Sequence, residues 1–187
     1  DLAKRLRHHP FNGNKLTVIE QDAMTMDFGA LSKEMPVKDK KLRVFGNLPY
    51  NISTPLMFHL FDHAHCIEDM HFMLQKEVVE RMAAEPGSKT YGRLSVLLQY
   101  YCEIEYLFSI SPDAFTPAPK VTSALVRLTH FKNLPTVVEN LKDVSFFVTQ
   151  PFSQRRKTLR NSIKKCWIAR KSKVVELTQE YDQNNAV

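Results

Sequence analysis

Val44-Phe45-Gly46-Asn47-Leu48-Pro49-Tyr50-Asn51 is the stretch on which the reading of the chain turns. An apolar run stops there at a polar, proline-stiffened turn carrying an amide and an aromatic ring. Leu42 to Gly46 reads as a short buried strand, with Asn47-Leu48-Pro49-Tyr50 thrown off its C-terminal end. In open α/β sheets, ligands bind at that end. Asn47 offers a carbonyl acceptor and an NH2 donor on one rigid amide, and the Leu48 carbonyl, set in a turn, is left out of sheet pairing. Together they form two acceptors suited to an exocyclic amine. Pro49 fixes its own φ and drives Leu48 into an extended conformation. Tyr50 supplies a flat face on which a base can stack. The plainer reading of the same residues is a strand, a proline turn and a half-buried tyrosine.

A length of 187 residues with 43% hydrophobic side chains suits one domain with a small appendage. No apolar run approaches membrane-spanning length, and the N-terminus lacks the apolar core and cleavage site of a signal peptide, which points to the cytoplasm and away from a membrane. Cys66, Cys102 and Cys166 are far apart and form no C-x-x-C pair, so neither a disulfide framework nor a cysteine zinc site is suggested. His59, His63 and His65 cluster near Cys66, but no glutamate follows His59 and the H-E-x-x-H pattern is absent. They read as a helix face with its trailing loop, and no metal is expected.

The net charge of +6 is unevenly placed. Between Val144 and Val175 there is no acidic residue, whereas Arg155, Arg156, Lys157, Arg160, Lys164, Lys165, Arg170, Lys171 and Lys173 are all basic. Removing those nine from the 26 basic residues leaves 17 against 20 acidic, a net of −3. A solvated helix face is the ordinary origin of such a run, but nine positive charges without a negative one argue for contacts to phosphates.

Along the chain, Asp1 to Arg7 reads as the end of a helix, Leu16 to Glu20 as a strand leading to Asp22, and Ala30 to Met35 as a short helix. Asp22 by itself is a strand-ending turn aspartate. After the central turn, Thr54 is placed to cap a helix whose first residue is Pro55. Met70 to Leu74 is a strand, Lys76 to Ala84 and Tyr91 to Tyr101 are helices, and Glu103 to Ile110 and Val121 to Phe131 are strands that can pair antiparallel. The loop between them holds three prolines, which stiffen it to hold Phe115 toward a ligand; Phe115 could equally plug the core. Composition changes after Lys132, giving two expected domains, 1–132 and 133–187. The second is helical, with Phe152, Leu159, Ile163 and Trp167 as its apolar stripe.

Asn47-Leu48-Pro49-Tyr50 followed by Asn51-Ile52-Ser53-Thr54-Pro55 resembles the signature of the ribosomal RNA adenine dimethyltransferases, the bacterial kasugamycin-resistance enzymes in particular. The resemblance extends through Gln21–Met24, His71–Val79, Tyr91–Val96, Phe115–Val121 and Gln154–Asn161. It implies an α/β fold: a Rossmann-like class I methyltransferase sheet, lacking its first strands, followed by a small helical domain. It implies an enzyme that uses S-adenosylmethionine to dimethylate the N6 amines of two adjacent adenines in small-subunit ribosomal RNA, acting as a monomer on the immature small ribosomal subunit. Asn47, Leu48, Pro49, Tyr50 and Phe115 would then hold the target base. Asp22, Ala23 and Asn47 would meet the cofactor, and Arg155, Arg156, Lys157, Arg160, Lys164 and Lys165 would hold RNA. Two rivals remain: DNA adenine methylation, disfavoured by Leu48 where proline is common, and an RNA-binding assembly factor whose activity is secondary or lost.

The five glycines form no G-x-G. The glycine-rich turn and ribose-binding acidic residue of class I methyltransferases would precede Asp1, so the chain reads as an N-terminally truncated piece whose own activity is lost. This 187-residue polypeptide is therefore expected to bind S-adenosylmethionine weakly or not at all. Titration calorimetry checks this, and low-micromolar affinity would contradict it.

Overall fold

The computed structural model describes residues 2–10, 16–34, 40–49, 51–134, 146, 148–149 and 152. Its regular elements are α1 (Leu2–Arg7), α2 (Phe28–Glu34), β1 (Leu42–Asn47), α3 (Ser53–Asp62), β2 (Ile67–Gln75), α4 (Lys76–Met82), α5 (Arg93–Tyr101), β3 (Cys102–Ile110) and β4 (Ser123–His130). Three single turns of 3-10 helix, Ala23–Thr25, Ala64–Cys66 and Pro112–Ala114, join them.

The four strands form one sheet in the order β1-β2-β4-β3. β1 runs parallel to β2, and β4 runs antiparallel to both β2 and β3. The expected antiparallel pair therefore sits at one edge of an otherwise parallel sheet. Met70, Phe72 and Leu74 of β2 and Ala124, Val126 and Leu128 of β4 project from one face and are almost wholly buried. Leu56, Met57, Leu60 and Phe61 of α3, Val79 and Met82 of α4 and Leu98 of α5 belong to the same core cluster. These helices all cover that face.

Three expectations need correction. β1 is not buried on both sides: Leu42, Val44 and Gly46 are half-buried while Arg43, Phe45 and Asn47 are exposed, Phe45 to 83%. An edge strand under a single helical layer has one wet face, so its side chains alternate. Leu16 to Glu20 forms no strand. A strand needs a neighbour for its backbone, and among the described residues the sheet ends at β1 without reaching this segment, so Leu16 and Ile19 are each left 46% exposed. Thr54 does not cap α3; Ile52 holds the cap position without a side-chain bond, and Pro55 is the third helical residue. Proline is tolerated there because the first-turn N–H groups have no partner within the helix.

The junction of α4 and α5 accounts for the polar residues after Tyr91. Ser95, fully buried, accepts from the Gly92 N–H at 3.1 Å and donates to the Arg81 carbonyl at 2.5 Å. Gln99 Nε2 donates to the carbonyls of Met82 and Ala84 at 2.8 and 2.9 Å. Carbonyls at the end of α4, which no helical N–H reaches, are thereby satisfied. The expected helix from Leu141, most of the expected apolar stripe and the six residues from Arg155 to Lys165 expected to hold RNA lie outside the described residues. Phe152 is described, with its ring 6.1 Å from that of Tyr91.

Ser95→Ala removes a buried hydroxyl that serves one donor and one acceptor. It is expected to lower the unfolding free energy by about 1–3 kcal/mol. Urea denaturation should show a lower midpoint at unchanged slope.

Candidate functional site

The target-base candidates gather at one end of the sheet because of strand direction. Asn47 is the last residue of β1, paired with Met73 of the parallel β2. β2 ends at Gln75, which pairs with Ser123 at the start of β4, and Ser123 in turn pairs with Ile110 at the end of β3. The turn after Asn47 and the loop from Ser111 to Thr122 thus leave the same end. The Lys76 N–H donates to the Thr122 carbonyl at 2.9 Å and fixes that loop to the end of β2.

Within the turn, the Leu48 N–H donates to the Met73 carbonyl at 3.4 Å, and the Ile52 N–H closes back on the Pro49 carbonyl at 3.2 Å. No described backbone N–H donates to the Leu48 carbonyl. Asn47 and Pro49 are exposed, and Tyr50 lies outside the described residues. In the other loop, the Phe115 N–H bonds the Pro112 carbonyl at 3.1 Å, which closes the 3-10 turn. The Phe115 side chain is half-buried, and Thr116-Pro117 is a cis peptide.

Asp22 enters from a different direction. Its Oδ1 accepts from the Met24 N–H at 2.9 Å, and its backbone carbonyl accepts from the N–H and hydroxyl of Thr25 at 3.0 and 2.9 Å. That geometry caps the turn Ala23–Thr25, whose Ala23 and Met24 pack against the core. His59 of α3 bonds the Met26 carbonyl at 2.9 Å, tying this segment to the helix that follows the central turn. Asp22 is exposed, with lone pairs beyond those used in capping.

The histidines sit on the far end of α3. His63 Nδ1 lies 3.1 Å from the His59 carbonyl, and its Nε2 lies 3.5 Å from Asp27 Oδ1. Asp27 also accepts from the Ala30 N–H, and this bond, with lesser contributions from the Gly29 N–H, His63 and Lys33, holds its carboxyl below the usual range against some desolvation. Burial pushes the Cys66 thiol up, and that of Cys102 up to about 12. Among the described residues, no group of three or more His, Cys, Asp or Glu side chains is placed to hold a metal ion. Likewise, no described helix is long and apolar enough to cross a membrane.

Gln75, within the resembling stretch His71–Val79 but given no role, and Ser123 pair with each other two residues beyond Met73, the partner of Asn47, at the sheet end. The available signal was a polar pair at two strand ends, visible only once those strands are known to be neighbours.

The family model described as Ribosomal RNA adenine dimethylase matches residues 1–186. Ribosomal RNA small subunit methyltransferase A of Photorhabdus laumondii is 61% identical over 163 residues, covering 87% of this chain and 59% of that protein. Its counterpart in Haemophilus influenzae is 59% identical over 165 residues, covering 87% and 58%. The crystal structure of a dimethyladenosine transferase from Plasmodium falciparum superposes with a TM-score of 0.67 at 30% identity, over 86% of this chain and 54% of that one. The 23S rRNA methyltransferase ErmE, at 22% identity and a TM-score of 0.66 over 88% of this chain and 62% of its own, shares the fold. The chain spans about three fifths of the length of the curated relatives it matches. With a match along nearly its whole length and a sheet shared with solved methyltransferases, the chain belongs to the ribosomal RNA adenine dimethylase family.

Proposed function

We propose that this chain carries the target-base half of an enzyme that transfers methyl groups from S-adenosylmethionine to the N6 amines of two adjacent adenines in small-subunit ribosomal RNA, during assembly of that subunit. The observation that supports it most is the convergence at one sheet end of the Asn47-Leu48-Pro49 turn and the Phe115 loop.

The cofactor fits the described residues on one side only. Asp22 is exposed and keeps acceptor capacity, so it would take a hydrogen bond from the adenine amine of S-adenosylmethionine, with Ala23 beside it. None of Gly29, Gly46, Gly87 and Gly92 lies in a G-x-G turn that would hold its methionine part. When bound, the cofactor supplies an electrophilic methyl group on a sulfonium.

Adenine N6 is a weak nucleophile because its lone pair is delocalised into the ring. Asn47 Oδ1 and the Leu48 carbonyl would accept its two N–H bonds and localise the lone pair on N6, directed at the methyl group. Such positioning and electrostatic stabilisation makes a strong base unnecessary before transfer, and the proton leaves to water afterwards. Tyr50 and Phe115 would stack on the base, which must be single-stranded or flipped out. The basic residues from Arg155 to Lys165 would hold neighbouring phosphates.

The test is incorporation of labelled methyl into immature small subunits, by the polypeptide alone and joined to the part of the Photorhabdus laumondii relative that lies outside the match. Asn47→Ala is expected to lower transfer by about 10²–10³-fold, as for loss of one group that stabilises developing charge, while RNA affinity is kept. Phe115→Ala should weaken binding of the target base by about 1–3 kcal/mol, measured by competition with a short single-stranded RNA. Full transfer by the Asn47→Ala protein refutes the role given to that amide; RNA binding without transfer in every form points to an assembly factor.

A further inference from the structure

Gln75 occupies the cap position of α4 but makes no capping bond. It is half-buried, and its cross-strand neighbour Ser123 is 6% exposed. Among the described residues, no hydrogen bond joins either side chain to another group. Neither side chain has a polar atom that is both buried and unbonded, so their polar groups reach solvent and are open to a ligand. Their place at a ligand end of the sheet suggests that a ligand pairs them.

The register says which ligand. Asn47 pairs with Met73, and Gln75 lies two residues farther along β2, so Asn47, Met73, Gln75 and Ser123 project from the same face. With about 3.3 Å rise per residue and about 4.8 Å between strands, the Cα atoms of Asn47 and Gln75 are roughly 8 Å apart. Two amide side chains at that spacing span one heterocyclic base. Once its amine is held by Asn47 and the Leu48 carbonyl, an adenine still presents the acceptors N1 and N7, one on each side of the amine. Neither Asn47 nor a stacked ring supplies a donor to both.

We propose that Gln75, supported by Ser123, reads the ring edge of the target adenine, its NH2 donating to one of the two ring nitrogens that flank the amine. A glutamine amide is well matched to an adenine edge, and a donor at that point favours adenine over a base that lacks the acceptor. This inference rests on the proposed reading of the sheet end as a target-base site. Gln75 would touch the substrate, so it contributes to specificity and not only to the geometry of α4.

The test pairs a residue change with an atom change. Affinities of the polypeptide for a short single-stranded RNA with one adenine are measured by fluorescence anisotropy. They are compared with those for the same RNA carrying 1-deazaadenine, 7-deazaadenine or unsubstituted purine at that position. The proteins compared are the parent, Gln75→Met, Ser123→Ala and Asn47→Ala. In the parent, one deaza substitution is expected to weaken binding by about three- to tenfold, the loss of one neutral hydrogen bond. In Gln75→Met, which keeps the length of the side chain and loses the donor, that penalty should vanish while the penalty for losing the amine remains. Ser123→Ala should reduce the deaza penalty without abolishing it. Thermal unfolding of Gln75→Met at the parent's midpoint separates recognition from mere support of α4. An equal deaza penalty in the parent and in Gln75→Met, or none in either, overturns the role of Gln75. If purine binds the parent as well as adenine does, so that the amine is not read at all, the reading of the whole site falls with it.

Discussion

The register of β2 is the constraint on which the candidate ligand end of the sheet depends. β1 lies on one side of it and β4 on the other, so the turn after Asn47 and the loop before Ser123 both take their positions from this strand. Met70, Phe72 and Leu74 are each 1% exposed. Burying such side chains contributes about 1.5–3 kcal/mol apiece. A one-residue slip would turn all three toward water and bring His71 and Met73 into the core. Any polar bond available at the sheet end is worth less, about 0.5–1.5 kcal/mol. The core therefore sets the register, and the site inherits it.

The two faces of the sheet have different chemistry. The face under α3, α4 and α5 is largely apolar, whereas the other carries Arg43 3.0 Å from Asp69, and Arg127 3.3 Å from Glu105, with Phe45 exposed among them. Asp69 is 7% exposed, and its Oδ1 has no hydrogen-bond partner among the described residues, His71 Nδ1 being 3.7 Å away. Arg127 Nε, close to Glu105, is likewise not aligned to donate. A carboxylate bonded through only one oxygen keeps part of its desolvation cost uncompensated. Ion pairs and an exposed aromatic ring on one face, against close-packed aliphatic side chains on the other, mean that among the described residues helical packing stabilises the sheet almost entirely from one side.

Much of the fold was legible because hydrophobic spacing reports directly on burial. β2, α4, α5 and the antiparallel strands were found within a few residues of their ends, since each buries a patterned set of apolar side chains. Leu16 to Glu20 misled for the complementary reason: a β-like composition forms a strand only beside another strand. Thr54 misled because cap preferences are weak beside packing, and α3 starts two residues earlier to bury Ser53 and Leu56. At the candidate site, Asn47, Leu48 and Phe115 are proposed from local chemistry, a turn and a proline loop. Gln75 and Ser123 could not stand out, because what distinguishes them is a long-range pairing between residues 75 and 123 that no local pattern encodes.

On the proposed reading, the openness of the site decides how its catalysis must work. Asn47 is exposed, so its amide acceptor is hydrated until a base arrives. A hydrogen bond that only replaces one to water stabilises little. The same bond in a water-excluded, low-dielectric setting is much stronger. The groups that exclude water therefore matter as much as the acceptors themselves. Phe115 is already half-buried on a loop stiffened by three prolines and fixed at its end by the Lys76–Thr122 hydrogen bond. Little ordering is left to occur when a base enters, which keeps the entropic cost of closing the site low. The stiff loop and the acceptor turn act as one device, with the base itself completing the dry environment in which its amine is held.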